Sequence, residues 1–427
     1  AAAHAAGHVW ARGEGVMLED AAGNRYIDGL SGLWNVVVGH GRAELAEAAA
    51  TQMTTLGYCS AYAGSSSLPA IELAERLAAL CYPRINRFFF TSGGGEATES
   101  SIKTARSYWK LRGKPNKTKV ISREFGYHGV TLAAMSATGI PAYWPLFEPV
   151  VPGFFHIPSP YPYRYEVDEA ASGSQGQQAA DELEHAIERE GADTVAMFIA
   201  EPVQGAGGVI VPQDDYFPRI REICDRHDVL FVADEVITGF GRTGKLFALD
   251  HWGVQPDIVQ FAKAITAGYV PFGGIGVSDD IADTLEGADT PWMHAYTYSA
   301  HPVGSAVALR TLDIIEGEGL PGRAATSGQV LLEGLRAGLA THPHVGDIRG
   351  LGLMCAVELV ADREGKRRYP AADKVGAKVA ASAMQHGLFT RSIGDVYYVA
   401  PPFVIDAAQL QQVVDASVVA VEAVAGR

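Results

Sequence analysis

A chain in which short apolar runs alternate with amphipathic helical stretches predicts an α/β fold: a large domain on a mainly parallel sheet between helices, with a smaller α+β domain. Three observations carry this reading. From about residue 85 to 280 the apolar runs RFFFT (87–91), KVIS (119–122), TVAMFIA (194–200), VLFVA (229–233), DIVQFA (257–262) and GGIGVS (273–278) are separated by helix-period sequence, as expected of strands covered on both faces. After about 305 the order changes to a long helix, short strands around GLMCAVELV (352–360) and YYVAPPF (397–403), and a closing helix. The length of 427 residues exceeds one small domain and favours two or three units.

The remaining elements follow in chain order. Residues 14–30 read as a meander turned at Ala22-Gly23-Asn24. A helix is expected over 42–56, then a polar loop (SAYAGSSS), then a helix over 69–80 opened by Pro69. Residues 158–180, rich in Pro, Tyr, Ser, Gly and Gln, read as a surface excursion. The chain thus divides into an N-terminal part of the small domain (1–56), a large domain (57–305) and a C-terminal part of the small domain (306–427).

Composition removes several functions. Hydrophobic residues at 48% and charged residues at 19% are ordinary for a folded soluble chain. A formal net charge of −15 argues against a nucleic-acid partner, which needs a basic face. Cys59, Cys81, Cys224 and Cys355 are scattered without a CxxC pair, so no metal site is expected and a reducing, cytoplasmic compartment is. No apolar run approaches the roughly 20 residues that span a bilayer. Ala1 to Gly7 lacks the basic region and apolar core of a secretory signal.

The chemistry gathers after the predicted strands, where parallel sheets bind their ligands. Ser92-Gly93-Gly94-Gly95 follows RFFFT, Glu201 follows TVAMFIA, Asp234 follows VLFVA, and Lys263 follows DIVQFA. A strand, glycine loop and helix start of this kind aims backbone N–H groups at a phosphate, although a glycine run alone reads equally as a plain turn. Neither GxGxxG nor GxxxxGK[ST] is present in it, which disfavours ATP and NAD. Asp234 closes an apolar strand, where an unpaired carboxylate is expensive; either an arginine or a protonated ring nitrogen would satisfy it. A lone lysine at a strand end is ordinarily a snorkelling surface residue. Desolvated, its amine becomes a nucleophile toward an aldehyde. Asp234 and Lys263 after neighbouring strands, with a phosphate cradle upstream, favour the second reading of each.

These stretches resemble the class III aminotransferases of pyridoxal-5′-phosphate (PLP) fold type I, and within them the omega-transaminase, or amine:pyruvate, branch. The matching segments are GLWNVVVGHG, FFFTSGGGEATESSIK, YHGVTLAAMSATG, FIAEPVQGAGGVIVP, FVADEVITGFGRTG, PDIVQFAKAITAGYVPFGG, YTYSAHPVGSAVAL and GDVYYVAPPF, in family order across nearly the whole chain. The resemblance implies a seven-stranded-type sheet and PLP as cofactor. It makes Lys263 the Schiff-base lysine and proton shuttle, and Asp234 the partner of the pyridinium nitrogen. Val236 and Tyr127 are expected on the two faces of the ring, with His128 beside Tyr127. Ser92, Gly93, Gly94 and Gly95 cradle the phosphate. Thr297 is expected to reach the phosphate of a neighbouring subunit, which implies a homodimer or larger assembly with shared sites. Glu201 is expected near the cofactor and substrate. Arg391 matches the arginine that binds a keto-acid carboxylate, and Trp34 and Tyr62 match aromatic walls of the substrate pocket.

Four departures from the family pattern bear on the site. Gly93-Gly94-Gly95 stands where relatives commonly have Ser-Gly-Ser, so cofactor grip is expected to be weaker. Ile237 stands where 4-aminobutyrate aminotransferases carry Gln, and Ala63 beside Tyr62 suggests a roomy pocket. Relatives usually have a helix ahead of the region that starts here at His8-Val9-Trp10. The expected reaction is ping-pong transfer from a primary amine (diamine, omega-amino acid or aryl/alkyl amine) to a keto acid such as pyruvate. An aminomutase, a decarboxylating transaminase or a 2-oxoglutarate-dependent aminotransferase is the alternative on the same fold. A silent binding protein would leave the pairing of Lys263 with Asp234 without a purpose.

Overall fold

In the computed structural model, which describes residues 8–62 and 64–426, the apolar runs become strands of one seven-stranded sheet. The Ala1–Gly7 stretch and Ala63 lie outside the described residues. Across the sheet the order is Ile85–Thr91, Gly273–Ser278, Ile258–Phe261, Leu230–Asp234, Val195–Ala200, Lys119–Arg123 and Phe154–Ile157. Gly273–Ser278 is antiparallel to both neighbours and the other pairs are parallel. Every side chain of Val195–Ala200 is buried, which explains its unbroken apolar run.

Packing accounts for the glycines of the antiparallel strand. A Cβ on Gly274 would lie 2.7 Å from the Phe261 ring, and one on Gly276 would lie 2.5 Å from Ile85 Cγ2. Helix Gly94–Leu111 drives Ala97, Ile102, Ala105 and Trp109 into a core with Val120, Ile199, Val232 and Ile258. Burying each larger side chain of this set contributes roughly 1.5–3 kcal/mol, and Trp109 Nε1 donates to the Ala196 carbonyl at 2.8 Å. That packing sets the helix start against the carboxyl edge of the sheet.

Two segments depart from the sequence reading. The strand Phe154–Ile157 is only partly buried at the sheet edge, and its short run after Gly153 does not stand out as apolar sequence. The excursion expected over 158–180 ends earlier, because helix Gln175–Glu190 starts inside it. Ser174 Oγ accepts the Gln177 N–H at 3.1 Å and Gln177 Oε1 accepts the Ser174 N–H at 3.2 Å, a capping box that starts the helix there.

The chain divides into two compact units, one of Leu45–Gly241 and Lys245–Asp313, the other of Ala1–Glu44, Arg242–Gly244 and Ile314–Arg427. The larger contains the seven-stranded sheet and takes in residues 45–56 and 306–313, while 242–244 fall to the smaller. In the smaller, Trp10–Glu14, Met17–Asp20 and Arg25–Asp28 form a meander, with Leu388–Phe389 added parallel to its third strand. The meander begins before residue 14, and Asp20 builds its turn by accepting the Ala22 and Asn24 N–H groups at 2.9 Å each. A second sheet, Val345–Gly350, Cys355–Leu359, Val396–Val399 and Ser392–Ile393, accompanies helices Leu320–Leu339, Val375–Gln385 and Ala407–Ala425. No described helix is long and apolar enough to cross a membrane.

Candidate active site

Ser92, Glu201, Asp234 and Lys263 all lie at the carboxyl ends of strands of the larger unit that point one way. Register places Asp234 opposite Gln260 on the next strand, three residues before Lys263. Alternation along each strand then decides which side chains reach the binding face.

The glycine loop leaves its strand at Thr91 and enters the helix at Gly94, with Gly93 fully extended. Glu96 Oε2 accepts the Ser92 N–H at 2.7 Å. The Gly94 and Gly95 amides have no acceptor among the described residues, as expected at a helix start. Nothing lies within 4 Å of a Cβ built on Gly93, so space is open over the loop. A Cβ on Gly129, whose φ is +121°, would meet Gly95 Cα at 2.9 Å, so only glycine lets the 126–130 segment press against the loop. Unpaired amides beside open space at a helix N-terminus suit a phosphate.

Asp234 is 4% exposed. Its Oδ2 accepts from His128 Nδ1 at 2.7 Å and its Oδ1 accepts the Val236 N–H at 3.1 Å. His128 is fixed in turn: its N–H donates to Thr138 Oγ1 at 2.9 Å and its carbonyl lies 2.7 Å from Thr98 Oγ1. Glu201, 3% exposed, accepts the Tyr127 N–H and the Gly205 N–H at 2.9 Å on separate oxygens, joining two loops. Burial pushes the Glu201 carboxyl up and the Asp234 charge adds to this, while His128 and the two amides pull it down.

Lys263 opens a single turn, Lys263–Thr266, with φ of +46°, a left-handed conformation that costs a side-chain-bearing residue on the order of 1–3 kcal/mol. Its side chain is half-buried and makes no hydrogen bond among the described residues. Burial holds the ammonium below the usual lysine range, against the opposing pull of Asp234 and Glu201. An amine easily neutralised, with two buried carboxylates in electrostatic reach, is poised to act as nucleophile and base.

The other expected residues fall into three places. Val236 and Tyr127 are half-buried beside this cluster: the Val236 methyls lie 3.1 and 3.2 Å from a Cβ built on Gly94, and the Tyr127 ring is 5.7 Å from Tyr143. Ile237 is buried. Tyr62 and Thr297 are exposed on loops of the same unit, where the Thr297 carbonyl accepts from Tyr58 Oη at 2.9 Å. Trp34 and Arg391 belong to the smaller unit, Trp34 buried and Arg391 exposed.

Sequence reasoning missed the supports. Gln260 lies with its Oε1 3.1 Å from Thr98 Oγ1 and its Nε2 donating to Ser101 Oγ at 2.9 Å. Buried Arg123 donates to the Glu201 carbonyl, and Glu99 accepts Thr131 Oγ1 and the Ala133 N–H at 2.6 and 3.1 Å. A lone glutamine inside IVQF was the one legible signal, since a polar side chain in a doubly covered strand needs a partner.

Comparison with known proteins agrees with this geometry. Residues 1–421 match the family described as aminotransferase class-III. The chain is 40% identical over 405 residues to a putrescine–pyruvate aminotransferase of Pseudomonas aeruginosa, covering 94% of this chain and 88% of that one. It superposes on an (S)-enantioselective omega-transaminase from Thermomicrobium roseum with a TM-score of 0.95 and 49% identity, covering 98% and 93% of the two chains. It also superposes on an amine transaminase from an uncultivated Pseudomonas species, solved in its PLP-bound (internal aldimine) form, with a TM-score of 0.96 and 40% identity over 99% and 97% of the two chains.

Proposed function

Because this chain belongs to the class-III aminotransferases, enzymes that use PLP, we propose that it moves an amino group from a primary amine to a keto acid, pyruvate by preference, in two half-reactions at one site. The observation that carries the site assignment is Lys263: a strained, half-buried amine without a hydrogen-bond partner among the described residues, in reach of two buried carboxylates. The residues fit the cofactor. Unpaired amides and open space at Gly93, Gly94 and Gly95 suit its phosphate, Asp234 suits a protonated ring nitrogen, and Lys263 suits an aldehyde.

When bound, PLP supplies an aldehyde that condenses with amines and a ring that withdraws electrons from the carbon bearing the nitrogen. In this reading Asp234 holds the proton on the ring nitrogen, and His128 Nδ1 keeps the carboxylate turned toward it. Val236 and Tyr127 would hold the ring between them, and Ser92 would join the glycines in holding the phosphate. Lys263 Nζ would hold the cofactor through its aldehyde. As a free amine it would take the proton from the amine-bearing carbon, a role that suits a base of reduced basicity. Glu201 holds the Tyr127 loop in place through that residue's amide.

Arg391 supports the keto-acid assignment. Its carbonyl accepts the Tyr398 N–H at 3.1 Å, which anchors the backbone, while its exposed guanidinium has no ion-pair partner among the described residues. A planar fork of this kind can grip a carboxylate with two hydrogen bonds and swing away from an uncharged amine. Arg391→Ala should raise the keto-acid KM by about 10- to 100-fold and spare amine deamination, as separate single-turnover measurements of the two half-reactions will show. Equal damage to both would remove the arginine from carboxylate recognition.

The assembly we propose is a homodimer with shared sites, in the cytoplasm. Tyr62, 61% exposed, lines a cleft of about 800 Å³ in the larger unit together with Ile71, Met293, Phe89, Trp292 and their neighbours. A second copy covering it brings Thr297 to the partner's phosphate cradle. The glycine loop yields a further expectation. A Cβ on Gly95 meets only Thr131 Cγ2, at 3.7 Å, so Gly95→Ser fits without strain. The added hydroxyl should slow PLP loss on dialysis by about 3- to 10-fold; an unchanged rate would mean that backbone amides alone set the grip.

The function is tested by incubating the holoenzyme with a panel of diamines, omega-amino acids and aryl-alkyl amines plus pyruvate, and measuring alanine. A parallel panel uses 2-oxoglutarate. Preferential glutamate formation would overturn the pyruvate assignment, and isomerised amine without alanine would indicate an aminomutase.

A further inference from the structure

One turn of the larger unit carries both Asp234 and Val236, and the residue between them is anchored elsewhere. Asp234 Oδ1 accepts the Val236 N–H at 3.1 Å, and the Val236 methyls lie 3.1 and 3.2 Å from a Cβ built on Gly94. Glu235 is fully buried. Its Oε1 accepts from Tyr82 Oη, from the Ala248 N–H at 2.8 Å and from the Leu249 N–H at 3.2 Å, and its Oε2 accepts from Thr238 Oγ1. The backbone is tied as well. The Glu235 N–H donates to the Gln260 carbonyl at 3.0 Å, and the Glu235 carbonyl accepts the Gly239 N–H at 2.9 Å.

Neutral donors alone make a costly setting for a buried carboxylate. No cation pairs with Glu235 among the described residues, and burial pushes its carboxyl up to about 7 against the pull of its four donors. An apolar side chain would fill the same volume at lower cost. What the carboxylate adds is geometry, since its two acceptor oxygens join three segments at one point. These are Tyr82, just after helix Leu68–Leu80, Thr238 in the next turn, and the start of the short turn Ala248–His251. Together they fix the residue midway along the turn that bears Asp234, and the torsions there decide where the Asp234 carboxylate aims. His128 Nδ1 then meets Oδ2 at 2.7 Å.

We propose that Glu235 is a positioning residue for the reaction: anchored by Tyr82, Thr238 and the Ala248 and Leu249 amides, it sets the Asp234–Val236 turn and so the direction of the Asp234 carboxylate. This rests on Asp234 serving the ring nitrogen of the cofactor. The test follows two readouts in wild type, Glu235→Leu, Glu235→Gln, Tyr82→Phe and Asp234→Asn. One is kcat of the holoenzyme at saturating PLP. The other is the proton resonance of His128 Nδ1–H in cofactor-free protein, which reports the 2.7 Å bond to Asp234. Val379→Ala, which opens a cavity at a buried helix position of the smaller unit, is the control for lost stability. Glu235→Leu should lower kcat by about tenfold and shift or broaden the His128 resonance, while Val379→Ala lowers the melting temperature and moves neither. Glu235→Gln keeps an oxygen for Tyr82 and the two amides, so it should recover most of both losses. Should Glu235→Leu fail to fold, Tyr82→Phe carries the test, because it removes one donor and keeps the ring packed 5.4 Å from that of Phe247. It should lower kcat by about threefold, with the same change in the resonance. A wild-type kcat and resonance in Glu235→Leu, or in Tyr82→Phe where that stands in, beside an impaired Asp234→Asn would overturn the positioning role. A full kcat in Asp234→Asn would instead bring down the reading of Asp234, and the proposal with it.

Discussion

Replacing Lys263 by alanine is expected to lower the rate of both half-reactions by about 10³-fold or more, since on the proposed assignment one change removes the nucleophile and the base. Borohydride reduction followed by peptide mass analysis should fix the cofactor on the peptide containing Lys263 in the native enzyme, and on none in the variant. Labelling of another lysine would overturn the site. Stability should move the other way. Burial holds the Lys263 ammonium below the usual lysine range, so in cofactor-free protein the unfolded chain binds the extra proton between the folded and ordinary values. The wild-type fold therefore gains stability as pH rises through that window, and carries the full penalty below it. Cofactor-free Lys263→Ala should melt higher than wild type at neutral pH, and the gap should narrow as the pH approaches 10.5. A gap that widens with pH would mean that attraction to Asp234 and Glu201 outweighs burial.

Asp234→Asn should lower kcat by about 10²–10³-fold, the size of effect seen when one preorganised electrostatic partner is lost from a reacting centre. Asparagine keeps an oxygen that can still accept from His128 Nδ1, so the fold and the 2.7 Å contact should survive while the charge is lost. PLP affinity should fall by about 10- to 100-fold, as expected for a charge-assisted hydrogen bond made neutral. Titration of cofactor-free protein separates the two effects, because kcat at saturating PLP reports only the chemistry. A full kcat at saturation would leave Asp234 a binding role alone.

The strand ends were legible because burial imposes a local rule. A strand covered on both faces has to be apolar, so a charged residue closing it, such as Asp234 or Lys263, stands out. The edge strand Phe154–Ile157 escaped notice because an edge is only partly covered. The first turns of helix Gln175–Glu190 were read as loop because their Gln, Gly and Ser content masked the capping box at Ser174. Arg242 sits in the glycine-rich stretch GFGRTG, yet it is among the largest fully buried side chains of the described residues.

Residue type and periodicity alone determined the α/β class and put the glycine loop, a carboxylate and an amine after strands that point one way. Only the tertiary structure decided their partners: His128 on Asp234 across 106 positions, the Tyr127 loop on Glu201 across 74, and Arg242 on Ser31 across 211. The reason is physical. Backbone preference and apolar pattern act over a few residues and can be read along the chain. A hydrogen bond at 2.7 Å between distant side chains depends on how whole elements pack, and no short stretch of sequence carries that distance.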